Sequence, residues 1–142
     1  MAVNLHNFGE EFMQDLVVSS GKTFDVGVYN DSTDSLSESS DLSDITTEPT
    51  GSNYSRQSES ASNISVDLSG SDAKTDFPQQ IFDTSDSSQE VDSYFVVVNF
   101  QSDEAGDGSQ NDHIFHTGAL SQTRDLSDVD ELEVNNVGGA LS

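Results

Sequence analysis

The chain has 142 residues and carries 27 Asp and Glu against 4 Lys and Arg, a formal charge of −23 at neutral pH. That length suits one domain, and so one-sided a charge leaves no basic surface for a phosphate backbone or an anionic lipid face, so no nucleic-acid or membrane partner is expected. The absence of cysteine removes disulfide frameworks, thiolate zinc sites and thiol nucleophiles together.

Leu, Ile, Val and Phe make up 34 of the 142 residues. That fraction lies just above the roughly 20% below which disorder is the default, so folding rests on how these residues are placed. Leu5, Phe8, Phe12 and Leu16 recur at spacings of three and four, which predicts a helix over 4–17 with one apolar face. Gly21 is its expected stop. Residues 1–20 are therefore expected to dock as an N-terminal helix on a β-sandwich formed by 21–142. No basic stretch followed by an apolar run opens the chain. The longest apolar run, 94–98, is far short of the ~20 residues that span a bilayer. A soluble chain, unprocessed or exported by assembly, is expected.

Phe24, Val26 and Val28 alternate with Thr23, Asp25 and Gly27, the period of a strand with one buried face. Residues 30–43 carry Asp31, Asp34, Glu38 and Asp41 among seven serines and threonines and read as a solvated loop. Alternation returns at Ser60, Ser62, Ile64, Val66 and Leu68, predicting a strand over 60–68. Residues 94–100 are apolar on both faces and rich in β-branched and aromatic side chains, as expected of a central strand. Residues 102–112 read as a second acidic loop, and 114–120 and 131–137 as two further short strands. One helix followed by five or more short strands points to an all-β sandwich with the helix packed at its side or end.

Asp supplies 18 of the 27 acids. In dilute buffer such a surface repels itself, whereas in multimolar salt the Debye length falls to ~3 Å or less and the penalty largely disappears. The composition reads as adaptation to a high-salt environment.

Chemistry-bearing motifs are sparse. His113 and His116 stand three apart and, on an alternating strand, point to opposite faces, so no shared metal is expected. Asp103, Glu104, Asp107 and Asp112 offer hard oxygen donors but lack the spaced Asp, central Gly and closing Glu of a helix-loop-helix calcium site. They read as a solvated turn. No Gly-x-Ser-x-Gly elbow and no phosphate-cradling glycine loop with a Lys occurs. Neither a catalytic residue, a cofactor nor a metal site is expected, and the chain is not expected to be an enzyme.

The order of segments resembles a family of small virion structural proteins of tailed phages and archaeal tailed viruses, the minor structural, decoration or tail-fibre-like proteins. The resemblance is carried by Asn7-Phe8-Gly9 through Asp15-Leu16, by the strand and turn from Phe24 to Asp31, and by Gly51-Ser52-Asn53-Tyr54-Ser55-Arg56-Gln57, which is similar to a Gly-x-Tyr-x-Arg-Gln signature. It continues through Asp76-Phe77-Pro78, Gly118-Ala119-Leu120, Asp130-Glu131-Leu132-Glu133-Val134 and Gly139-Ala140-Leu141. Ser32 stands where the family has Pro, and the family's strand after the last Gly-Ala-Leu is missing, so an edge is expected to stay open unless a neighbour completes it. The resemblance implies a jelly-roll-like β-sandwich and a place on a virion assembled in the host cytoplasm. Its implied partners are other copies of the chain in a symmetric homo-oligomer and a major capsid or tail protein.

A capsid surface position, as decoration or turret component, is preferred over a tail tube, tip or fibre, because the chain has no coiled coil or glycine-rich shaft. A non-viral acidic adaptor of a halophile is the alternative outside the virion. Tyr54 and Arg56 are the structural or interface candidates: Arg56 is one of two arginines among 27 acids, and a planar guanidinium in that field is expected to pair with a carboxylate.

Overall fold

The computed structural model describes residues 23–67, 73–98 and 114–141. The helix expected over 4–17 and the acidic loop expected over 102–112 lie outside the described residues. The regular structure among the described residues is nearly all strand, so the all-β expectation holds; its helical content is a single turn at Asp31–Asp34 and three short 3₁₀ turns.

The largest sheet has the order β2–β1–β6–β7, with β1 at Thr23–Tyr29, β2 at Gln57–Ser60, β6 at Glu90–Val98 and β7 at Ile114–Asp125. All its pairings are antiparallel. The alternation read from the sequence sets the register: Phe24, Val26 and Val28 stand opposite Val98, Val96 and Tyr94. All six side chains are buried on one face. Two small sheets supply the rest of that core. One has the order β3–β4–β9 and the other is β5–β8, with β3 at Ser65–Asp67, β4 at Ala73–Asp76, β5 at Gln80–Asp83, β8 at Glu131–Val134 and β9 at Gly138–Leu141. Phe77, Phe82, Leu132, Val134 and Val137 join the core from β5, β8 and the segments beside β4 and β9.

β6 lies between β1 and β7 and is buried on both faces, as its two-sided apolar sequence predicts. Its second face presents Phe95 and Val97, which cluster with Tyr29 beneath Leu36, Leu42 and Ile45. The segment 30–43 is therefore not simply a solvated loop. Its serines and acids are largely exposed, but its leucines turn inward and roof the sheet. Each leucine is isolated among polar residues, so the pattern has no period to reveal it.

Strand boundaries also differ from the sequence reading: β7 runs on to Asp125, five residues past the strand expected over 114–120, and two other strands change. The strand expected over 60–68 breaks at a 3₁₀ turn, Ala61–Asn63, so that β2 pairs with β1 and β3 pairs with β4 in the other layer. Ser60 and Ser62 share a hydroxyl contact of 3.0 Å and Asn63 donates to Glu59 at 3.1 Å; short polar side chains bonding locally in this way compete with a ladder. The strand expected over 131–137 ends at Val134. Asn136 takes a left-handed conformation with φ 58°, a region Asn tolerates better than most residues, and the chain turns there to bury Val137.

Two rings of β6 lie over glycines directly opposite them: Phe95 faces Gly27 of β1 and Tyr94 faces Gly118 of β7. A Cβ at Gly27 would run into the Phe95 ring and stand 3.1 Å from a Glu48 carboxylate oxygen. Overpacking of this kind costs about 1–3 kcal/mol. Gly27→Ala should therefore lower stability by about that amount in chemical denaturation at high salt, whereas Ser121→Ala on the exposed part of β7 should stay within about 0.5 kcal/mol of the parent.

Candidate functional site

β2 pairs with β1 only as far as Val26. The next outward amide on that edge, the N–H of Val28, is taken by the Tyr54 hydroxyl at 3.1 Å. That hydroxyl in turn donates to Glu48 Oε1 at 3.1 Å. Arg56 closes the arrangement as a fork, Nε to Oε1 at 2.8 Å and Nη2 to Oε2 at 2.7 Å. The guanidinium carbon also stands 5.1 Å from the centroid of the Phe95 ring, a cation–π distance. The Tyr54 ring stacks on Phe82 at 5.7 Å. Tyr54 and Arg56, two residues apart, thus share one carboxylate and between them touch both layers of core.

The electrostatics suit a permanent tie. Burial, followed by the negative Glu48, pushes the Tyr54 hydroxyl above its ordinary range, so it remains protonated and a donor. Hydrogen bonding to Glu48 outweighs burial at Arg56 and raises its pKa. The side chains of Arg56 and Glu48 are 33% and 20% exposed, so the pair is neither a fully solvated surface bridge nor a buried one. Glu48 was not singled out in the sequence. One of 27 acids in a Ser-rich stretch gives no signal of its own, apart from its position six residues before Tyr54 and beside Pro49.

Three aspartates extend the tie along the same segment. Asp92 of β6 accepts from the backbone N–H of Asp31 at 2.7 Å and of Ser32 at 3.2 Å. Asp34 accepts from the N–H groups of Thr46 and Thr47 at 3.1 and 3.2 Å and from both hydroxyls at 2.6 Å. Asp31 accepts from the N–H of Leu36 at 3.0 Å and the hydroxyl of Tyr29 at 3.1 Å. Partial burial pulls the Asp34 and Asp92 carboxyls up, but the donors around each outweigh it and both end below the usual carboxylate range. A backbone with little regular structure is satisfied here by side-chain oxygens instead of a ladder.

His116 lies on β7 opposite Val96, and a bulge between the Val96 and Val97 pairings interrupts the strict alternation on which the opposite-faces expectation for His113 and His116 rests. His113 lies outside the described residues. Among the described residues no three His, Asp or Glu side chains gather so as to hold a metal ion. A shallow groove of about 380 Å³ runs between β7 and β8 over Leu120, Leu132 and Val134. At its side, with the Gln122 amide oriented by its surroundings, Arg124 Nη2 donates to the amide oxygen at 2.7 Å.

No protein-family model, no curated protein and no solved structure matches the chain. What the geometry offers is anchoring: donors and acceptors neutralise one another inside the cluster.

Tyr54→Phe removes one acceptor and one donor, and should cost about 1 kcal/mol. Arg56→Ala, which strands Glu48 half-buried, should cost about 1–3 kcal/mol. In a double-mutant cycle with Glu48→Gln, measured by denaturant unfolding at high salt, each pair should couple by at least about 0.5 kcal/mol; strict additivity would mean that the three residues act separately.

Proposed function

We propose that the protein is a virion structural subunit of a tailed virus with a halophilic host, seated on the capsid surface as a decoration or turret component, with a place in the tail as the other position on the same particle. It works by self-association and by contact with a major capsid or tail protein, and it is neither an enzyme nor a binder of nucleic acid, membrane or cofactor. The observation that carries the reading is the number of strand edges left open in so small a β-fold, even though β4–β9 and β5–β8 share one register and are joined by the Phe77 N–H bond to the Val137 carbonyl at 2.8 Å. Among the described residues β2 and β7 bound the large sheet, β3 and β9 bound the second, and both strands of the third have a free side. Unpaired strand edges are templates for pairing with another chain, and symmetric assembly is the common way to use them.

The jelly-roll-like form of the sandwich belongs to the same proposal. It is supported by pairings between strands far apart in sequence, β1 with β6, β4 with β9 and β5 with β8, and by a chain that changes layer between β2 and β3. The charge of −23 adds a condition: each added copy increases repulsion, so association needs screening by concentrated cations. Sedimentation and tyrosine fluorescence across a salt dilution series test this. The protein should be folded and oligomeric in multimolar salt, and should dissociate and then unfold towards ~0.1 M, where charges are felt over about 10 Å. A monomer unchanged across the series would contradict the proposal, as would absence of the chain from the protein inventory of purified particles.

A further inference from the structure

An unexplained group at the margin of the core is His116, a half-buried residue of β7. Both of its ring nitrogens are shut off from solvent, and neither has a hydrogen-bond partner among the described residues. Its ring is packed among three others: Phe77 at 5.8 Å, Tyr94 at 5.9 Å and Phe115 at 5.3 Å between centroids. A buried imidazole normally holds at least one partner, because an unpaired buried polar group costs free energy and an unpaired buried charge costs far more.

Among the described residues, none that stacks on this ring can balance a positive charge. From β6 comes Tyr94, whose hydroxyl is already committed, donating to the Gly138 carbonyl at 2.8 Å and accepting the Gly138 N–H at 3.2 Å. The segment after β4 contributes Phe77, while Asp76 beside it is exposed. β7 itself contributes Phe115. Glu38 of the roofing segment lines the same cavity as His116, near the start of β7, but makes no bond to the ring.

We propose that His116 is an acid-sensitive latch: the first half of β7 stays closed on β6 and on the second layer while the imidazole is neutral, and protonation drives the ring out and opens the sandwich along that edge. The location favours opening over global collapse. β7 is an edge strand among the described residues, and its pairing with β6 is already interrupted by a bulge beside His116 and by a second irregularity between Val91 and Ser93. The opened edge would expose the outer β6 backbone, which is the kind of surface that pairs with another chain.

The sign of the pH effect follows from burial, which lowers the His116 pKa from 6.5 to about 4. Between those values the unfolded or opened chain binds a proton that the closed one excludes, so closure weakens as pH falls through that window and is unaffected above it. Acidification also neutralises carboxylates and relieves self-repulsion, an opposite effect that a variant without the imidazole shares.

The test is an NMR titration of the labelled full-length protein in concentrated salt, with the His116 resonance assigned by its loss in His116→Gln, together with denaturant unfolding of the parent, His116→Gln and His116→Phe. In the parent, the ring should remain neutral to below about pH 5, and backbone signals of 114–119 should broaden on acidification before those of β1. Between about pH 7 and about pH 4.5 the parent's unfolding constant should rise about 50-fold relative to either variant. A ring that titrates near its ordinary value with the fold intact would overturn the proposal, as would variants whose pH profiles run parallel to the parent's. Should neither variant fold, the parent's ring titration and the order of signal loss decide alone.

Discussion

From Tyr94 to Val98, β6 has no polar face. With Tyr94, Val96 and Val98 on one side and Phe95 and Val97 on the other, all buried, the sheet that contains it requires a cover on each side, and among the described residues the small sheets cover only one of them. The second cover is made from the connection between β1 and β2, a stretch of acids, serines and threonines in which Leu36, Leu42 and Ile45 are the only large apolar contacts with the sheet cluster. Three half-buried aliphatic side chains do not hold more than twenty residues of irregular backbone in place by themselves. The Glu48–Arg56–Tyr54 cluster and the carboxylates of Asp31, Asp34 and Asp92 supply what the apolar contacts lack, fixing both ends of the roof to β1 and β6.

This gives the acidity a structural use beside its solvation role. Carboxylates serve repeatedly as acceptors for backbone N–H groups. The same Asp-x-Ser geometry, in which one Oδ1 takes both the N–H and the hydroxyl of the serine two residues on, occurs at Asp41, Asp83 and Asp125. Asp86 similarly holds Ser52 and Asn53 across a gap in sequence. Such bonds favour the ionised form, which is the form that repels its neighbours. Local order and long-range repulsion therefore come from the same atoms, and concentrated salt screens the second at a range where the first, at contact distance, is little affected.

The periodic parts of the fold were legible in the sequence. Alternation at Phe24, Val26 and Val28 gave β1 its buried face, and the two-sided apolarity of 94–98 gave β6 its central place, because burial leaves a period in the residues that undergo it. Strands held mainly by polar residues left no such trace: β2, β4 and β5 have too few apolar positions to count. The break at Ala61–Asn63 hid inside an alternation that spans two strands of different sheets. Tyr54 and Arg56 could be singled out by rarity, since arginine is scarce among the acids. Their partner could not, since Glu48 is one acid of many and only the folded chain brings it to them. The bulge at Phe115 was equally silent, and it decides what His116 faces.

The central claim is that side-chain oxygens, not a strand ladder, hold the roof on the sheet. Amide hydrogen exchange by NMR at high salt addresses it directly through four N–H groups: Val28 on Tyr54, Asp31 on Asp92, Leu36 on Asp31 and Thr47 on Asp34. Pinning predicts protection at all four approaching that of the β6 amides, and its loss at Val28 alone or first in Tyr54→Phe. Exchange at the rate of a free chain at Asp31, Leu36 and Thr47, with β6 still protected, would mean that the segment lies over the sheet without being fastened to it, and would contradict the claim.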